Sequence, residues 1–305
     1  MRRGSREALQ LAAAFALDRL LGDPVRWHPV AGFGELAEAL ERHTWRPRRS
    51  AGIGHVAILL AGAHFTGRLA RRNPALATIA IWSTLGGRSL EQAALRMATL
   101  LHAGQLAAAR EHAASLMGRD TSELDTGELC RATIESVAEN TADALVGALL
   151  WAALAGTPGA TAYRAANTLD AMIGHRTVRY RRFGWAAARL DDVMTWPAAR
   201  LTALLSVLLA PLAGADGAGA LRVLRRDGAR HPSPNAGPVE AAFAGAIGVR
   251  LGGLNHYAAG PERRPTLGDG REPVVEDIAA AVRLSRVVGR AGLALCLLLT
   301  LARPA

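Results

Sequence analysis

The densest group of side chains capable of chemistry lies between residues 157 and 193. After a helix-breaking Pro-Gly pair, the sequence predicts a helix with Arg164, Asn167 and Asp170 at intervals of three residues. This spacing places a guanidinium, an amide and a carboxylate on neighbouring turns of one helix face. A histidine, further arginines and two adjacent carboxylates follow, at His175, Arg176, Arg179, Asp191 and Asp192.

Arginine suits phosphate or carboxylate groups in bidentate contacts, and carboxylates suit Mg²⁺. The stretch therefore has the composition of a site for an anionic ligand and a divalent cation. The alternative is an arginine-rich cytoplasmic loop of a membrane protein in which the acids are incidental.

A second stretch repeats part of this pattern. Residues 138–147 and 165–174 share A-x-N-T-x-D-A-x-x-G, which is six identities in ten positions. A genuine repeat would offer two Asn/Asp pairs that grip one metal–phosphate unit from two helices. The alternative is a chance match in an alanine-rich chain.

Acidic residues are also spaced along one helix face that leads into the first copy of this repeat and overlaps it. Glu128, Glu135, Glu139 and Asp143 fall within an arc of about 80° when the helix turns by 100° per residue. A solvated helix face is the ordinary explanation for such an arc. Asp143, however, adjoins an apolar segment, and an unpaired carboxylate in a membrane costs about 2.5–3.5 kcal/mol.

Composition excludes several classes of protein. The chain has 305 residues, is half hydrophobic and carries a formal charge of +10, and all of its basic residues are arginines. Without lysine it has neither a Walker A lysine nor a lysine Schiff base. The arginines do not alternate with aromatic residues, which argues against nucleic acid as a partner. Two distant cysteines indicate no zinc site or disulfide framework.

Apolar stretches separated by arginines predict an all-α polytopic helical membrane protein with a helical soluble subdomain and long polar loops. The stretches cover residues 51–66, 75–87, 145–162, 201–221 and 287–302, and an N-terminal membrane-inserted or interfacial helix precedes them. No strand-like alternation of useful length is present. The alternative is a very apolar soluble helical bundle.

We expect one domain over residues 1–305, divided into consecutive segments. These are an apolar hairpin (51–87), a helical soluble subdomain (88–142), a core motif region (143–200), an apolar span (201–221), a Pro/Gly-rich functional loop (222–275) and a C-terminal helix (276–305). Within the soluble subdomain, Gly104 separates two short amphipathic helices. Asp125 and Glu128 have the spacing of a capping box.

A series of motifs runs through nearly the whole chain in a fixed order. They are Asp18-x-x-x-Gly22-Asp23-Pro24-x-x-x-His28-Pro29-Val30, Gly118-Arg-Asp-Thr121, Glu135-Ser-x-Ala-Glu139-Asn140-x-x-Asp143, Gly159-Ala-x-x-Tyr163-Arg164-Ala-x-Asn167-Thr-Leu-Asp170-x-Met-x-Gly174-His175, Phe183-Gly-Trp185, Ala188-Arg-Leu-Asp191-Asp192, His231-x-Ser233-Pro-Asn235, Gly248-Val-Arg-Leu-Gly-Gly253 and Arg264-Pro-x-Leu-Gly268. On these motifs the chain resembles the CobD/CbiB family of cobalamin biosynthesis, the adenosylcobinamide-phosphate synthases. It departs from the family pattern at Thr195, where an asparagine is expected, and at Pro238-Val239, where the order is exchanged.

The resemblance implies a multi-pass protein of the cell inner membrane with its active site on the cytoplasmic side. It implies ATP and Mg²⁺ as cofactors, and adenosylcobyric acid and (R)-1-amino-2-propanol phosphate, or the free aminoalcohol, as substrates joined through an amide bond. Membrane lipid and other late cobalamin-pathway membrane enzymes are the further partners that it suggests.

The reaction that the resemblance implies gives each candidate residue an expected role. The metal ligands would come from Glu135, Glu139, Asp143, Asp170, Asp191 and Asp192. Phosphate and substrate contacts would come from Arg164, Asn167, Arg176, Arg179, Ser233, Asn235, Asp23 and His28. His175 or His231 would accept the proton of the amine, with Glu139 and Asp170 as further catalytic candidates.

Two other functions are consistent with the same residues. A membrane transferase acting on a diphosphate also uses N-x-x-D motifs on membrane helices, but it should have longer apolar spans. A non-enzymatic membrane signalling protein similar to the AmpE-like proteins should have polar motifs that do not converge into one site.

Overall fold

The computed structural model describes residues 3–23, 28–114, 116–117, 120–175, 177–257 and 260–303. Its α-helices are α1 Arg3–Leu21, α2 Pro29–Thr44, α3 Arg49–Ala70, α4 Pro74–Trp82, α5 Gly87–His102, α6 Leu106–Ala113, α7 Thr126–Asn140, α8 Ala148–Ile173, α9 Tyr180–Phe183, α10 Trp185–Leu209, α11 Gly217–Asp227, α12 Ala236–Ile247 and α13 Val275–Leu301. A π-helical segment, Thr141–Gly147, joins α7 to α8, and a short 3₁₀ segment, Ala210–Ala213, follows α10. Strands β1 Leu251–Tyr257 and β2 Gly260–Leu267 form an antiparallel pair.

Within the described ranges, four helices are long and apolar enough to cross a membrane: Arg49–Ala70, Thr126–Ile173, Trp185–Ala213 and Val275–Leu301. Large apolar side chains such as Ile58, Leu208 and Leu298 are exposed on three of them. Lipid is the solvent that suits such surfaces. The prediction of an all-α polytopic membrane protein is therefore confirmed. The predicted apolar stretch 75–87 yields only the nine-residue helix α4, which is too short to span a bilayer.

The chain divides into two compact units. One comprises Met1–Arg88, Asp143–Ala198 and Gly292–Ala305, and the other comprises Ser89–Ala142 and Ala199–Ala291. We call them unit 1 and unit 2 and describe each by itself.

In unit 1, α3 packs closely against α8 and α9 because glycines remove the side chains at the contact. A Cβ atom at Gly52 would overlap the carbonyl group of Phe183, and one at Gly67 would lie 2.6 Å from Pro158 Cα. Around this contact lies a buried apolar cluster of Ala37, Val56, Leu59, Leu169, Ile173, Phe183 and Ala187. Close approach of helices through small residues is the usual packing mode in membranes.

The break predicted near Pro158 lies two residues earlier, at Gly156. Its φ and ψ of 69° and −163° are non-helical, and they divide α8 into two parts. Only glycine adopts such a conformation readily, and Pro158 then fits the first turn of the second part without losing a hydrogen bond. The second part carries the residues that the sequence predicted on one face.

A buried carboxylate explains the polar residue that interrupts the apolar helix α1. Asp18 is fully buried, and its Oδ2 accepts a hydrogen bond of 3.2 Å from the backbone N–H of Arg88. Gly87 allows this approach, since a Cβ there would lie 3.1 Å from the same oxygen. Asp18 therefore caps the start of α5, where a carboxylate satisfies free N–H groups and the helix dipole.

In unit 2, the region 222–275 is not the long loop that the sequence predicted. It contains the end of α11, all of α12 and the β1–β2 pair. Helices α11 and α12 touch through Gly219 and Gly245, where a Cβ on Gly219 would lie 2.6 Å from the Gly245 carbonyl oxygen. Proline and glycine here mark tight helix contacts and a hairpin, so the loop prediction was wrong for most of this region.

Two predictions in residues 88–142 are confirmed. Gly104, with φ of 68°, ends α5 and separates it from α6. Asp125 and Glu128 form the predicted capping box at the start of α7, in which the side chain of each accepts from the backbone N–H of the other at 2.8–2.9 Å.

The glycine contact between α3 and α8 gives a matched pair of substitutions. Gly67→Ala should lower the apparent melting temperature in detergent, because overpacking a helix contact costs about 1–3 kcal/mol. Gly62→Ala on the same helix should leave it unchanged or raise it slightly, because nothing lies within 4 Å of the added atom and alanine favours the helix. Equal melting temperatures for the two variants would contradict the packing described for α3.

Candidate active site

Unit 1 brings together five polar side chains from three segments, which we call the Asn167 cluster: Asp143, Tyr163, Asn167, Asp191 and Thr195. The amide nitrogen of Asn167 donates to Asp191 Oδ1 at 3.2 Å and reaches Asp143 Oδ2 at 3.5 Å. Thr195 Oγ1 donates to the same Asp191 oxygen at 3.3 Å. One amide on α8 therefore holds a carboxylate from the π-helical segment and another from α10.

The π-helical segment decides where Asp143 lies. A π-helix closes i→i+5 hydrogen bonds, and in proteins such turns are rare and frequent at functional sites. Because the chain leaves α-helical geometry after Asn140, the spacing of 100° per residue does not extend to Asp143. The predicted acidic arc is therefore wrong at its last member, which joins the Asn167 cluster.

Tyr163 fixes the floor of the cluster. Its ring is fully buried and stacks on Trp151 with a centroid separation of 6.5 Å. Its hydroxyl donates to the Asp143 carbonyl oxygen at 3.0 Å and lies 3.2 Å from Thr195 Oγ1. Gly147 makes room for the ring, since a Cβ there would lie 2.5 Å from Tyr163 Cζ.

Arg164 sets the orientation of the central amide. Its NH1 atom donates to Asn167 Oδ1 at 3.3 Å, so the amide oxygen faces the guanidinium and the nitrogen faces the carboxylates. The assignment follows from the donor and acceptor inventory, because a carboxylate can only accept from the amide nitrogen. The predicted neighbourhood of Arg164 and Asn167 on one helix face is confirmed.

Asp170 adds a third carboxylate near this group. Its charge is among those that act on Asp191. Its carboxylate lies over Gly174, where a Cβ would overlap it, and its carbonyl oxygen accepts from the Gly174 N–H at 2.7 Å. Glycine at this position is therefore explained by the space that the Asp170 side chain fills.

The donor set fits Mg²⁺ better than a metal that needs a complete protein cage. In the part of the chain that the structure describes, no three His, Cys, Asp or Glu side chains are arranged to hold a metal ion by themselves. The expectation that the metal ligands come from the six acids named from the sequence therefore stays a prediction. Mg²⁺, however, is usually held by one or two carboxylates together with water and substrate phosphates. Asp143 and Asp191 can supply such a pair.

Glu135 has a structural task in unit 2 instead. It is buried, and its Oε1 accepts a hydrogen bond of 2.8 Å from the Gly252 N–H at the start of β1. Arg131 bonds the Gly252 carbonyl oxygen and donates to the Leu254 carbonyl oxygen at 3.0 Å. The pair attaches the strand to α7, so Glu135 is accounted for without a metal. Glu139 is half-buried beside Asn140 on α7.

The sequence repeat does not form two equivalent clamps. Asn140 donates to the Ser136 carbonyl oxygen of its own helix at 2.9 Å, whereas Asn167 contacts carboxylates on other segments. The threonine after each asparagine donates to the carbonyl oxygen four residues earlier. The Asp of the first copy and the Asn of the second copy meet in the Asn167 cluster.

The arginine run after Gly174 makes other contacts. Arg179 donates to the buried Glu41 at 2.7 Å, and its guanidinium lies 4.8 Å from the centre of the Trp45 ring. The Glu41 carboxylate holds the pKa of Arg179 above its ordinary value. A phosphate would have to compete with Glu41 for this side chain. His175 is exposed, and Arg176, like Pro24, Gly118 and Arg119 of the motifs, lies outside the described residues.

The remaining acids and the first motif have local partners. Asp192 Oδ2 accepts from Arg189 NH1 at 3.3 Å. His28 caps α2, because its Nδ1 accepts from the Val30 N–H at 3.1 Å, and its Nε2 lies 3.8 Å from Asp23 Oδ1. These contacts show how the first motif orders the start of α2.

In unit 2, residues 231–234 of the predicted rigid segment His231–Asn235 line a cavity of about 500 Å³. His231 Nδ1 accepts from the Ser233 N–H at 3.0 Å, and its Nε2 lies 3.4 Å from Arg264 NH1. Ser233 Oγ accepts from the backbone at the start of α12, and Asn235 Oδ1 accepts from Arg200 at 3.1 Å. The size is in the range of small-molecule pockets, about 300–1,000 Å³.

Some important residues carried no signal that isolated them. Thr195 stood out only as a departure from the family pattern, yet its hydroxyl serves Asp191. Asp227 is buried at the end of α11 and accepts from Arg226, from Arg230 and from the Gly268 N–H at 2.9 Å. In the sequence, an aspartate between arginines predicts an exposed charged residue. Only the contact with the distant Gly268 shows that Asp227 joins α11 to the end of β2.

Because Asp143 and Asp191 share the amide of Asn167, substitution of Asn167 should destabilise the protein more than substitution of Asn140. Asn167→Asp removes the donor between two carboxylates and adds a further negative charge, and hydrogen bonds to charged groups contribute about 1.5–3 kcal/mol each. We expect a clearly lower melting temperature in detergent. Asn140→Asp, which loses contacts only to its own helix, should cause a smaller loss. A larger loss for Asn140→Asp would contradict the arrangement.

Asp227 predicts a pH dependence of stability. Arg226, with help from Gly268 and Arg230, lowers the pKa of Asp227 to about 2 from 3.8. Because the folded pKa is the lower one, the stabilisation of about 2 kcal/mol is complete above pH 4 and is lost as the pH falls towards 2. Melting temperatures of wild type and Asp227→Asn should therefore converge on acidification.

Asp269→Asn is the control for this comparison. Asp269 pairs with the same Arg226, which lowers its pKa, but its side chain is 57% exposed. Its removal should change stability far less at neutral pH. A constant gap between wild type and Asp227→Asn from pH 6 to 2.5 would show that the charge of Asp227 does not stabilise the fold.

Comparison with known proteins agrees with the motif order. The family described as CobD/Cbib protein matches residues 11–285. A protein from Mycobacterium tuberculosis (strain ATCC 25618 / H37Rv) named Cobalamin biosynthesis protein CobD is 51% identical over 293 residues, which cover 94% of each chain.

Proteins of the same name from Chromobacterium violaceum and Klebsiella pneumoniae subsp. pneumoniae are 46% and 40% identical. Their alignments cover 91% of each chain for the former, and 94% of this chain and 95% of the relative for the latter. No solved structure matches. The match to the family over nearly the whole length, with relatives well above 30% identity, shows that the chain belongs to the CobD/CbiB family.

Proposed function

We propose that this protein acts in cobalamin biosynthesis as an adenosylcobinamide-phosphate synthase. It joins adenosylcobyric acid to (R)-1-amino-2-propanol phosphate through an amide bond at the expense of ATP. Family membership and the name of the relatives support the pathway. The observation that supports the chemistry is the Asn167 cluster, in which two carboxylates share one amide beside an arginine.

A carboxylate and an ammonium group do not condense in water without activation. In the proposed reaction, the γ-phosphoryl group of ATP moves to the carboxylate of adenosylcobyric acid and ADP leaves. The neutral amine then attacks the acyl phosphate, the C–N bond forms and inorganic phosphate leaves. The protein must therefore neutralise phosphate charge, align the reactants and accept one proton from the amine.

The described residues divide these tasks. Asp143 and Asp191 are the proposed ligands of Mg²⁺, which would neutralise phosphate charge during the transfer. Asn167 holds the two carboxylates at a fixed separation, and Tyr163 and Thr195 hold the backbone and side chain behind them. Arg164, one turn before Asn167 on α8, supplies a fixed positive charge.

The proton acceptor is proposed to be His175. His231 uses Nδ1 to accept from Ser233, and its Nε2 lies 3.4 Å from the guanidinium of Arg264. Both ring nitrogens of His231 therefore already face protein groups. His175 is exposed directly after Asp170 and Gly174, so its ring is open to a substrate amine.

The proposed location is the cell inner membrane, with the reaction on the cytoplasmic side. The helices that can span a membrane support the membrane itself. The proposed use of ATP as a substrate is the reason for placing the reaction on the cytoplasmic side. A membrane position would also bring the protein close to other membrane enzymes of the late pathway.

The direct test is an assay of the detergent-purified protein with ATP, Mg²⁺, adenosylcobyric acid and aminopropanol phosphate. We expect a product whose mass equals the two substrates joined with loss of water, and ADP in equal amount. Omission of ATP or Mg²⁺ should abolish it. A folded protein that makes no product under these conditions would favour a signalling role like that of the AmpE-like proteins.

Adjacent aspartates on α10 allow a sharp test of the residue roles. Asp191→Asn and Asp143→Asn should each reduce turnover at least about 100-fold, the usual effect of removing a charge-stabilising group. Asp192→Asn, which loses a partly exposed pair with Arg189, should stay within about 3-fold of wild type. Turnover near wild type in both of the first two variants would remove the Asn167 cluster from the reaction.

A further inference from the structure

Besides the cavity of unit 2, a smaller cavity lies in unit 1 and is lined in part by Arg164. It has a volume of about 120 Å³, far more than the 10–15 Å³ that one water needs. Its walls come from the first turn of α2, the end of α4, and α3 and α8. Pro29, Val30, Ser83, Thr84 and Arg164 are among the residues that line it.

Arg164 is the one charged side chain among the described residues that line this cavity. Its Nε atom is buried and has no hydrogen-bond partner in the described part of the chain, although its NH1 atom donates to Asn167. A buried cationic N–H that lacks an acceptor costs free energy, which an anionic ligand in the cavity would recover. The guanidinium therefore has one side committed to the Asn167 cluster and one donor available.

The other walls suit an anion as well. Helix α2 begins at Pro29, and the N-terminus of a helix carries roughly half a positive charge. Ser83 and Thr84 at present donate to carbonyl oxygens within their own turn. A hydroxyl proton rotates to suit its partner, so both can turn towards an acceptor in the cavity. None of the described lining residues is acidic.

We infer that this cavity, which we call the Arg164 cavity, binds the phosphoryl group of a substrate. The cavity and Arg164 alone indicate that an oxyanion binds here. The assignment of that oxyanion to the phosphate of the amine substrate rests on the proposed function. Through Arg164, the bound phosphoryl group lies next to the amide that holds Asp143 and Asp191. The His28-Pro29-Val30 motif and the Arg164 motif, far apart in sequence, thus form one subsite.

Arg164 is therefore the proposed phosphate-binding residue, in place of the arginine run after Gly174. Arg179 is 55% exposed on its side chain and already neutralises the buried Glu41. Arg164, by contrast, has a buried donor without an acceptor. A phosphate gains more from Arg164, because its buried Nε–H has no acceptor among the residues that the structure describes.

The test is equilibrium binding to the detergent-purified protein, measured by calorimetry with aminopropanol phosphate, free 1-amino-2-propanol, inorganic phosphate and ATP. Arg164→Gln should weaken binding of aminopropanol phosphate at least about 10-fold, as expected for a lost charge-assisted contact. Free 1-amino-2-propanol should bind both proteins equally. Arg179→Gln should bind aminopropanol phosphate within about 2-fold of wild type.

The arms distinguish the source of the phosphoryl group. If Arg164→Gln weakens binding of aminopropanol phosphate and inorganic phosphate but not of ATP, the cavity binds the phosphate of the amine substrate. If only ATP binding is weakened, the cavity still binds a phosphoryl group, but that group belongs to the nucleotide. Loss in Arg179→Gln with retention in Arg164→Gln overturns the inference, as does equal binding in all three proteins.

Thr66→Glu provides a second variant if Arg164→Gln fails to fold. Thr66 lines the cavity but is exposed, so a carboxylate there should repel a bound phosphate without disturbing packing. Unchanged phosphate binding in Thr66→Glu counts against the site. The product assay tests the proposed function separately from this binding site. Amide formation can occur whichever residue holds the phosphate. Phosphate can likewise bind whether or not an amide forms.

Discussion

The structure depends most on the need to give hydrogen-bond donors to carboxylates that lie on apolar helices. An acidic side chain in the centre of a membrane helix costs about 2.5–3.5 kcal/mol unless its environment compensates for it. Asp191 is only 8% exposed, and Asn167 and Thr195 supply its donors. The same amide reaches Asp143, so one residue holds both charges at a fixed separation. Gly147, Tyr163 and the π-helical segment are arranged around this requirement.

Features governed by neighbouring residues could be predicted from the sequence. The capping box of Asp125 and Glu128, the helix end at Gly104 and the adjacency of Arg164 and Asn167 each depend on a spacing of three or four residues or on one backbone conformation. Four of the five predicted apolar stretches overlap helices that can span a membrane, because length and composition are local properties. The order of the motifs along the chain also indicates the family.

Features governed by distant partners could not be predicted in this way. Glu135 has the same helical spacing as a metal ligand, but its partner is the Gly252 N–H, 117 residues away. Arg179 looks like a phosphate ligand until Glu41 is found beside it. The π-helical segment changes the angular position of Asp143, and no residue type announces it. The hairpin after Gly248 was missed because glycine and proline interrupt the alternation that indicates strands.

The central claim is that Asp143 and Asp191 form the metal-binding part of the active site. Electron paramagnetic resonance of Mn²⁺, a spectroscopic substitute for Mg²⁺, tests it most directly in the presence of a non-hydrolysable ATP analogue. We expect bound Mn²⁺ in wild type and in Glu135→Gln, and loss of the bound signal in the Asp143→Asn, Asp191→Asn double variant. Retention of the signal in the double variant, or its loss in Glu135→Gln with the fold intact, would contradict the account.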